Sequence, residues 1–248
     1  MEKKVDFLVN WLREQTTKAN LRGLVVGVSG GLDSAVTENL IKLAFPNHSL
    51  DVIMPVKSMP SDEDDAMAVV KNASLDYMVI DLSDVHEQML TKIASQLEKK
   101  QAYNPKTARM ADANLRTRLR MSTLYALAQH YGYLVCGTDN AAEWYTGYFT
   151  KYGDGGVDLN PLVHLKKSEV REMARFLNVP NRVIEKKPSA GLWEGQTDEN
   201  ELGLTYDVID RFLAGEDVSE QARKRIETLH KQTEHKRSMP ATPPPFPH

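Results

Sequence analysis

The stretch Val28-Ser29-Gly30-Gly31-Leu32-Asp33-Ser34 joins an apolar run to an amphipathic pattern, and it decides the fold. Residues 24–28, which lead into it, are mostly aliphatic and predict a short buried strand of a parallel sheet. Beyond it, Val36, Leu40 and Leu43 recur at the spacing of one helical face. The stretch is therefore predicted to be the turn between a strand and the N-terminus of a helix.

A turn of this kind can bind a phosphate group. Gly30 and Gly31 can adopt positive φ and let a ligand approach the backbone closely. The free N–H groups of the first helical turn point toward such a ligand, and the helix dipole places partial positive charge there. Ser29 and Ser34 add hydroxyl donors. We therefore expect a phosphate-binding loop at this position.

Asp33 is the residue that needs a separate explanation. A carboxylate repels a neighbouring phosphate unless a cation lies between them, and Mg²⁺ is the simplest such cation. The plainer alternative is an ordinary strand–helix turn in which Asp33 caps the helix. The stretch lacks the lysine of the GxxxxGK[ST] loop. It resembles instead the pyrophosphate loop of the N-type ATP pyrophosphatases, which split ATP into AMP and pyrophosphate.

Composition limits the class of protein. The chain has 248 residues, of which 41% are hydrophobic, so a single large domain with a proline-rich, frayed tail over residues 239–248 is expected. The net charge of −3 argues against a general nucleic-acid or membrane binder. Cys136 is the only cysteine, so no internal disulfide can form. With no signal-like or membrane-length apolar run, a cytoplasmic setting is expected.

Strand patterns alternate with helix patterns along the chain. Further strands are predicted at residues 51–56, 77–80 and 133–137, and helices at 4–18, 61–73, 85–93, 112–131, 170–177, 204–214 and 218–231, with a loop at 99–109. This alternation predicts an α/β fold: a doubly wound parallel sheet with helices on both faces, a three-layer sandwich whose ligands bind at the carboxyl ends of the strands. In the leading helix, Val5, Leu8 and Leu12 are expected to pack on the sheet or face a partner.

The strings at residues 137–143 and 149–158 resemble those of the ammonia-dependent NAD synthetases. Further resemblances, in the family's order, lie at residues 114–121, 161–167, 188–192 and 234–237. The resemblance implies the adenine nucleotide alpha-hydrolase-like fold. It also implies the reaction: ATP adenylates the nicotinate carboxylate of deamido-NAD, and ammonia displaces AMP from the nicotinyl-adenylate to give NAD.

The resemblance assigns roles to individual residues. For ATP it implies Gly27, Val28, Ser29, Gly30, Gly31, Leu32, Asp33, Ser34, Thr138, Lys167 and Ser189. For deamido-NAD it implies Arg118, Lys151, Asp158, His235 and Lys236, whereas Arg116 and Arg120 are expected to be solvated. Asp33 and Glu143 are expected to hold Mg²⁺, and Asp33, Lys167 and Asp154 to act in catalysis. Asp154 could bind Mg²⁺ or position ammonia, or it could simply be a turn residue.

The family resemblance further implies a homodimer in which Arg118 reaches the partner's site. One departure is Gly191, which stands where an aspartate is expected. Two other classes stay open at this point. Another ATP pyrophosphatase, such as a tRNA thiolase or a GMP synthetase, would need catalytic cysteines or a dimerisation domain, and Cys136 lies inside a predicted strand. An adenine-nucleotide sensor without turnover would not need both Asp33 and Glu143.

Overall fold

The computed structural model describes residues 1–58, 60–73, 76–189, 191 and 195–246, without the side chains of residues 60 and 61. In chain order the elements are α1 (Glu2–Lys18), β1 (Gly23–Gly27), α2 (Leu32–Ala44), β2 (Ser49–Ile53), α3 (Pro60–Ala73), β3 (Asp76–Val79), α4 (Ser83–Lys99), α5 (Pro105–Tyr131), β4 (Tyr133–Cys136), α6 (Ala141–Thr146), α7 (Lys167–Phe176), α8 (Asn181–Ile184), α9 (Asp198–Leu202), α10 (Tyr206–Leu213), α11 (Glu220–Gln232) and α12 (Glu234–Arg237).

The four strands form one parallel sheet in the order β3-β2-β1-β4. In its centre, Val26 of β1 pairs with Asp51 of β2 and with Cys136 of β4. The chain runs outward from β1 to β3 and then returns to the other side of β1 to form β4. The loops after β1 and β4 therefore leave the same edge on either side of the point where the strand order reverses, which is where such sheets bind ligands.

Alternate residues of the strands enter two separate cores. Leu24 and Val26 of β1 pack with α1, α2 and α7, whereas Val25 packs with Val52, Val135 and the α5 face. Successive side chains of a strand point to opposite faces, so an unbroken aliphatic strand is buried on both sides. The predicted doubly wound sheet with helices on both faces is confirmed. Among the described residues, no helix is long and apolar enough to cross a membrane.

The apolar face of α1 is used inside the molecule. Val5, Leu8 and Leu12 are buried, and Leu12 has no exposed surface. The alternative in which this face meets a partner is therefore wrong. An exposed apolar stripe lies instead on α4, where Val85, Met89, Ile93 and Leu97 follow one another at four-residue spacing.

Helix α5 begins earlier than the sequence pattern indicated. The predicted loop at residues 99–109 is wrong over its second half, because Asn104 and Pro105 begin the helix. The Asn104 side chain accepts a hydrogen bond from the Lys106 N–H, and Pro105 occupies the first helical turn. The same two residue types are typical of loops, which is why the start was missed. Strand β2, in turn, ends at Ile53, just before Pro55.

Candidate active site

A cleft of about 680 Å³ opens at the carboxyl edge of the sheet. Its walls come from the loops after β1, β2 and β4, from α3 and one side of α5, and from later parts of the chain, at residues 147–157, 183–189, 191 and 195–201. Most of the residues expected to bind or act lie in these walls: Gly27, Val28, Ser29, Gly31, Leu32, Asp33, Ser34, Thr138, Glu143, Asp154, Lys167, Ser189 and Lys236.

The predicted phosphate loop is held by its own hydroxyl groups and by α3. The Ser29 hydroxyl accepts a hydrogen bond from the Gly31 N–H at 3.2 Å, and the Ser34 hydroxyl donates to the Gly31 carbonyl at 3.1 Å. Gly30 has φ +77°, and a β-carbon there would approach the Asp62 carbonyl to 2.7 Å. Only glycine fits, so the loop passes directly beneath the first turn of α3.

Three charged side chains meet at the end of this loop. The Lys167 ammonium lies 2.5 Å from Asp33 Oδ2 and 3.2 Å from Glu143 Oε1. Lys167 is 3% exposed, and the Asn140 side chain donates a further hydrogen bond to Asp33 at 2.9 Å. The helix N-cap is Gly31, not Asp33. The interpretation of Asp33 as a simple cap is therefore wrong, because its carboxylate is directed at residues from other elements.

Electrostatics explain the protonation of this cluster. Burial opposes the charge on Lys167, but the carboxylates of Asp33 and Glu143 outweigh it and raise the pKa of the ammonium. Burial raises the pKa of Glu143 to about 7; Lys167 counteracts this rise and Asp33 reinforces it. A single lysine thus holds two carboxylates together, and it stays charged throughout the neutral range.

The donor set fits Mg²⁺. Two carboxylate oxygens from different strand ends converge on one point, now held by the lysine ammonium. Mg²⁺ is commonly held by one or two carboxylates, with phosphate oxygens and water completing its shell. No group of three or more His, Cys, Asp or Glu side chains converges within the described ranges, as a closed Zn²⁺ cage would require.

Tyr206 and Asp198, which the sequence analysis did not single out, hold the cluster in place. The Tyr206 hydroxyl lies 3.0 Å from Glu143 Oε1 and 2.9 Å from Asp198 Oδ2, and the Lys167 ammonium sits 4.7 Å from the centre of the tyrosine ring. Tyr206 is a buried residue of the amphipathic helix α10. Nothing in the local sequence marks its hydroxyl as a partner of Glu143.

Asp154 is both a turn residue and a cleft residue. Its Oδ1 accepts a hydrogen bond from the Thr150 N–H at 2.7 Å, and its side chain faces the cleft. Asp139, which the sequence analysis did not single out, lies nearby at 4% exposure, and no described residue is hydrogen-bonded to its Oδ2. Burial and then the charge of Asp154 raise the pKa of Asp139. This part of the cleft therefore has an excess of carboxyl groups.

Glycines in the segment after α6 permit close packing. A β-carbon at Gly147 would lie 2.2 Å from Thr233, and one at Gly153 would lie 2.6 Å from Thr117. A β-carbon at Gly155 would lie 2.4 Å from the Phe149 ring. The glycine-rich loop is thus pressed against α5 and the end of α11, and this packing carries Asp154 to the cleft.

The residues expected to bind deamido-NAD are not all gathered at the cleft. Lys236 lines it and donates hydrogen bonds to the Gly147 and Phe149 carbonyls at 2.8 and 2.7 Å. Arg118 donates to the Lys151 carbonyl, and the Lys151 ammonium donates to the His235 carbonyl, so these three form a cluster outside the cleft lining.

Asp158 is tied to other elements. Its two oxygens accept hydrogen bonds from the Tyr125 hydroxyl at 3.0 Å and from the Val135 N–H at 2.8 Å. In the structure Asp158 links α5 to β4, and its hydrogen bonds do not involve the cluster of Arg118, Lys151 and His235.

The expectation that Arg116 and Arg120 are solvated is wrong. The Arg116 guanidinium pairs with Asp112 and is 11% exposed. Arg120 lines the cleft, and its Nε donates to the Met54 carbonyl at 3.0 Å. The reason is that α5 packs on the sheet with one side and on α4 with another, so little of this long helix is free.

The departure at Gly191 has a structural reason. Gly191 has φ +62°, and a β-carbon there would lie 3.1 Å from the Asp62 carboxylate, which pairs with Lys186 at 2.8 Å. An aspartate at 191 would be strained and would face a like charge. Ser189 lies at the cleft, and its hydroxyl accepts from the Gly191 N–H at 3.1 Å. Residues 190 and 192 of the same predicted motif, and residues 193 and 194 after it, lie outside the described residues.

Comparison with known proteins gives a consistent result. A sequence profile described as NAD synthase matches residues 4–240. An NH(3)-dependent NAD(+) synthetase of Alkaliphilus oremlandii is 53% identical, over 98% of this chain and 97% of that protein. A solved NMN synthetase structure from Francisella tularensis superposes with a TM-score of 0.89 at 40% identity, covering 98% of both chains. An NH3-dependent NAD synthetase from Campylobacter jejuni superposes with a TM-score of 0.78 at 25% identity, also covering 98% of both.

Proposed function

The chain belongs to the NAD synthase family, and we propose that it amidates deamido-NAD with ammonia and ATP, giving NAD, AMP and pyrophosphate. The observation that carries this proposal is the convergence of Asp33 and Glu143 on one point beside the Ser29–Ser34 loop. Free N–H groups for phosphate, a pair of carboxylates for a cation and a lysine ammonium are the parts that cleavage of ATP to AMP requires.

In the first step the carboxylate of the acid substrate attacks the α-phosphorus of ATP. The loop at residues 29–34 binds the phosphates, with Thr138 and Ser189 as further neutral partners. Mg²⁺ bound by Asp33 and Glu143 would offset the charge on the departing pyrophosphate. The Lys167 ammonium, released from the two carboxylates, reaches the phosphates as a flexible point charge. The product of this step is the nicotinyl-adenylate.

In the second step ammonia attacks the carbonyl of that adenylate and AMP leaves. Asp154 lies in the cleft wall and is held in place by the Thr150 N–H. It shares no hydrogen bond with Lys167, Asp33 or Glu143. This placement supports positioning of ammonia, and acceptance of a proton from it, over a role as a Mg²⁺ ligand. Lys236, bound to the same loop, fixes its geometry through two carbonyls.

A second candidate substrate is nicotinate mononucleotide. The Francisella structure, which is that of an NMN synthetase, matches with a TM-score of 0.89 against 0.78 for the Campylobacter NAD synthetase. Arg118, Lys151 and His235 also lie outside the cleft lining, so a ligand without the AMP half would not need them. Deamido-NAD is longer than nicotinate mononucleotide, but both acids carry the same nicotinate carboxylate that is converted to the amide.

We also propose a two-fold homodimer. The stripe Val85, Met89, Ile93 and Leu97 on α4 is exposed, as are Tyr77 and Val79 of the edge strand β3. Exposed apolar surface of this extent is typical of a protein interface, and a two-fold dimer would cover the patch with its own copy. Helix α4 packs on α5, the helix that carries Arg118.

Product analysis tests the reaction. The purified chain is incubated with ATP, Mg²⁺, ammonium and either deamido-NAD or nicotinate mononucleotide. We expect AMP, pyrophosphate and the amide in equal amounts, and kcat/KM for the two acids identifies the physiological one. ADP and inorganic phosphate as stoichiometric products would contradict the proposal.

A further inference from the structure

Arg120 has a position in the cleft that none of the assigned roles uses. It lies on α5, and its guanidinium donates from Nε to the Met54 carbonyl at 3.0 Å and from Nη2 to the Ser58 hydroxyl at 3.5 Å. Both partners follow β2 and line the cleft, as Arg120 itself does. No described residue accepts a hydrogen bond from Nη1. The side chain is thus fixed along one edge while a donor remains for a ligand.

The charge of Arg120 has no counter-ion in the described part of the chain. Lys167 pairs with Asp33 and Glu143, and Lys186 pairs with Asp62 and Asp65, but no described carboxylate lies within ion-pair distance of Arg120. The other cleft residues around it therefore leave this charge uncompensated. Burying such a charge is unfavourable, and functional sites keep one where a ligand supplies the opposite charge.

Arg120 remains a cation at neutral pH. Burial and the like charge of Arg116 lower its pKa to about 10, against the opposite effect of Asp154 and Asp62. A group with this pKa is protonated in the physiological range. Asp154, which is proposed to position ammonia, lines the same cleft as Arg120.

We propose that Arg120 recognises the carboxylate of the acid substrate, an inference that rests on the proposed function. Two anions enter the cleft, and the ATP phosphates already have the loop and Lys167 as partners. The carboxylate has no comparable partner, because Arg118, Lys151 and His235 lie outside the cleft lining. Of the remaining lysines in the lining, Lys186 pairs with two carboxylates, Lys236 is bound to two carbonyls, and Lys187 is exposed to solvent. The Nη1 donors of Arg120 can hold one carboxylate oxygen and leave the other to attack phosphorus.

This role gives Arg120 a part in specificity. The reaction replaces a carboxylate with a neutral amide, so a cation at that position favours the substrate over its own product. Release of the amide follows from the same contact, because a neutral group leaves the guanidinium without an ionic partner. Arg120 therefore determines whether the cleft prefers acid or amide.

The test compares binding of acid and amide to the same preparation. Affinities of deamido-NAD and NAD, and of nicotinate and nicotinamide mononucleotide, are measured by calorimetry without ATP for the wild type, Arg120→Met, Arg120→Lys and the matched control Arg175→Met. The affinity for ATP alone is measured in a separate titration of each protein. Arg175 is an exposed arginine on α7. Each ratio of acid to amide affinity is taken within one protein sample, so an inactive fraction does not change it, and melting temperatures check the fold.

We expect the wild type and Arg175→Met to bind the acid more tightly than the amide. Arg120→Met should weaken acid binding by roughly 10- to 100-fold, the range of a charge-assisted hydrogen bond, with little change for the amide or for ATP. Arg120→Lys should recover part of the ratio because it keeps the charge. An unchanged ratio in Arg120→Met, or a loss confined to ATP, would overturn the inference. If the wild type amidates neither acid, the proposed function itself fails.

Discussion

The ammonium of Lys167 is bound to the carboxylate of Asp33, although 134 residues separate them in the chain. Asp33 follows β1, while Lys167 begins α7, the second helix after β4. The pair forms because β1 and β4 are neighbours in the sheet and both deliver their loops to the same edge. Glu143 joins the pair from the first turn of α6. Three residues from three elements thus meet at one point of the cleft.

Replacing Asp33 with Asn should remove catalysis without unfolding the protein. Asn keeps the size of the side chain, and Glu143 still pairs with Lys167, but one of the two carboxylates proposed to bind Mg²⁺ is lost. We expect kcat to fall by at least about 100-fold, in line with the several kcal/mol that a metal contributes to a transition state. The exposed Asp207→Asn variant on α10 is the control. Near-normal kcat in Asp33→Asn would remove Asp33 from the mechanism.

Replacing Lys167 with Met should lower the melting temperature of the protein and increase its stabilisation by Mg²⁺. The change leaves two carboxylates, 15% and 13% exposed, without their shared cation. Removing one partner of a buried ion pair costs about 3 kcal/mol. Thermal unfolding is measured with and without Mg²⁺, with the exposed Lys224→Met as control.

In the absence of Mg²⁺ the Lys167→Met variant should unfold at a lower temperature than the wild type. Addition of Mg²⁺ should raise the unfolding temperature of the variant more than that of the wild type, because the ion no longer competes with an ammonium for the two carboxylates. Equal responses to Mg²⁺ in Lys167→Met and the wild type would show that Asp33 and Glu143 are not a shared cation site.

The buried carboxyl pair Glu38 and Asp51 should make the protein less stable as pH rises. Burial and Asp51 raise the pKa of Glu38 to about 10, with Lys42 opposing. Burial raises the pKa of Asp51 to about 7, against the effects of Glu38 and Lys42. Both folded-state values lie above the unfolded ones. The folded chain therefore holds more protons, and its stability falls as pH increases above about 4 toward those values.

Urea unfolding between pH 5 and 9 measures this effect. The Glu38→Gln variant keeps a neutral hydrogen-bonding group beside Asp51, so its free energy of unfolding should depend less on pH than that of the wild type. For each proton involved, the slope of the free energy of unfolding against pH cannot exceed about 1.4 kcal/mol per pH unit. Identical slopes in the two proteins would mean that Glu38 is not protonated in the folded state.

Replacing Ile93 with Glu should separate the proposed dimer. Ile93 lies in the middle of the exposed α4 stripe, and burying a glutamate against its own copy would bring two like charges into an apolar interface. Light scattering after gel filtration should give a dimer mass for the wild type and a monomer mass for Ile93→Glu. Phe7→Glu, which alters an exposed apolar residue of α1, should remain dimeric. A monomeric wild type at assay concentration would reject the dimer.

The sheet, the phosphate loop and the position of Glu143 could be predicted from the sequence, because each of them depends on local patterns. The apolar run, the glycine turn and the helical spacing around residues 24–43 determine β1, the phosphate loop and α2 together. Glu143 could be placed at the same edge because it also follows a strand. These inferences needed only periodicity and the rule that parallel strands end on one side.

The rest depended on contacts between distant segments. Arg118 and Arg120 are two residues apart on one helix, and nothing in their spacing shows which of them enters the cleft. The hydroxyl of Tyr206 reaches Glu143 across 63 residues of sequence. Asp158 meets Tyr125 only because α5 lies across β4. Such partners are determined by the packing of helices on the sheet, which a single sequence does not specify.

Transfer of a heavy oxygen tests the central claim most directly. The acid substrate is labelled with ¹⁸O in its carboxylate and converted with ATP, Mg²⁺ and ammonium, and the products are analysed by mass spectrometry. If the carboxylate attacks the α-phosphorus and ammonia then displaces AMP, one ¹⁸O atom must leave with AMP and the pyrophosphate must remain unlabelled. Label in inorganic phosphate or pyrophosphate, with none in AMP, would contradict the account.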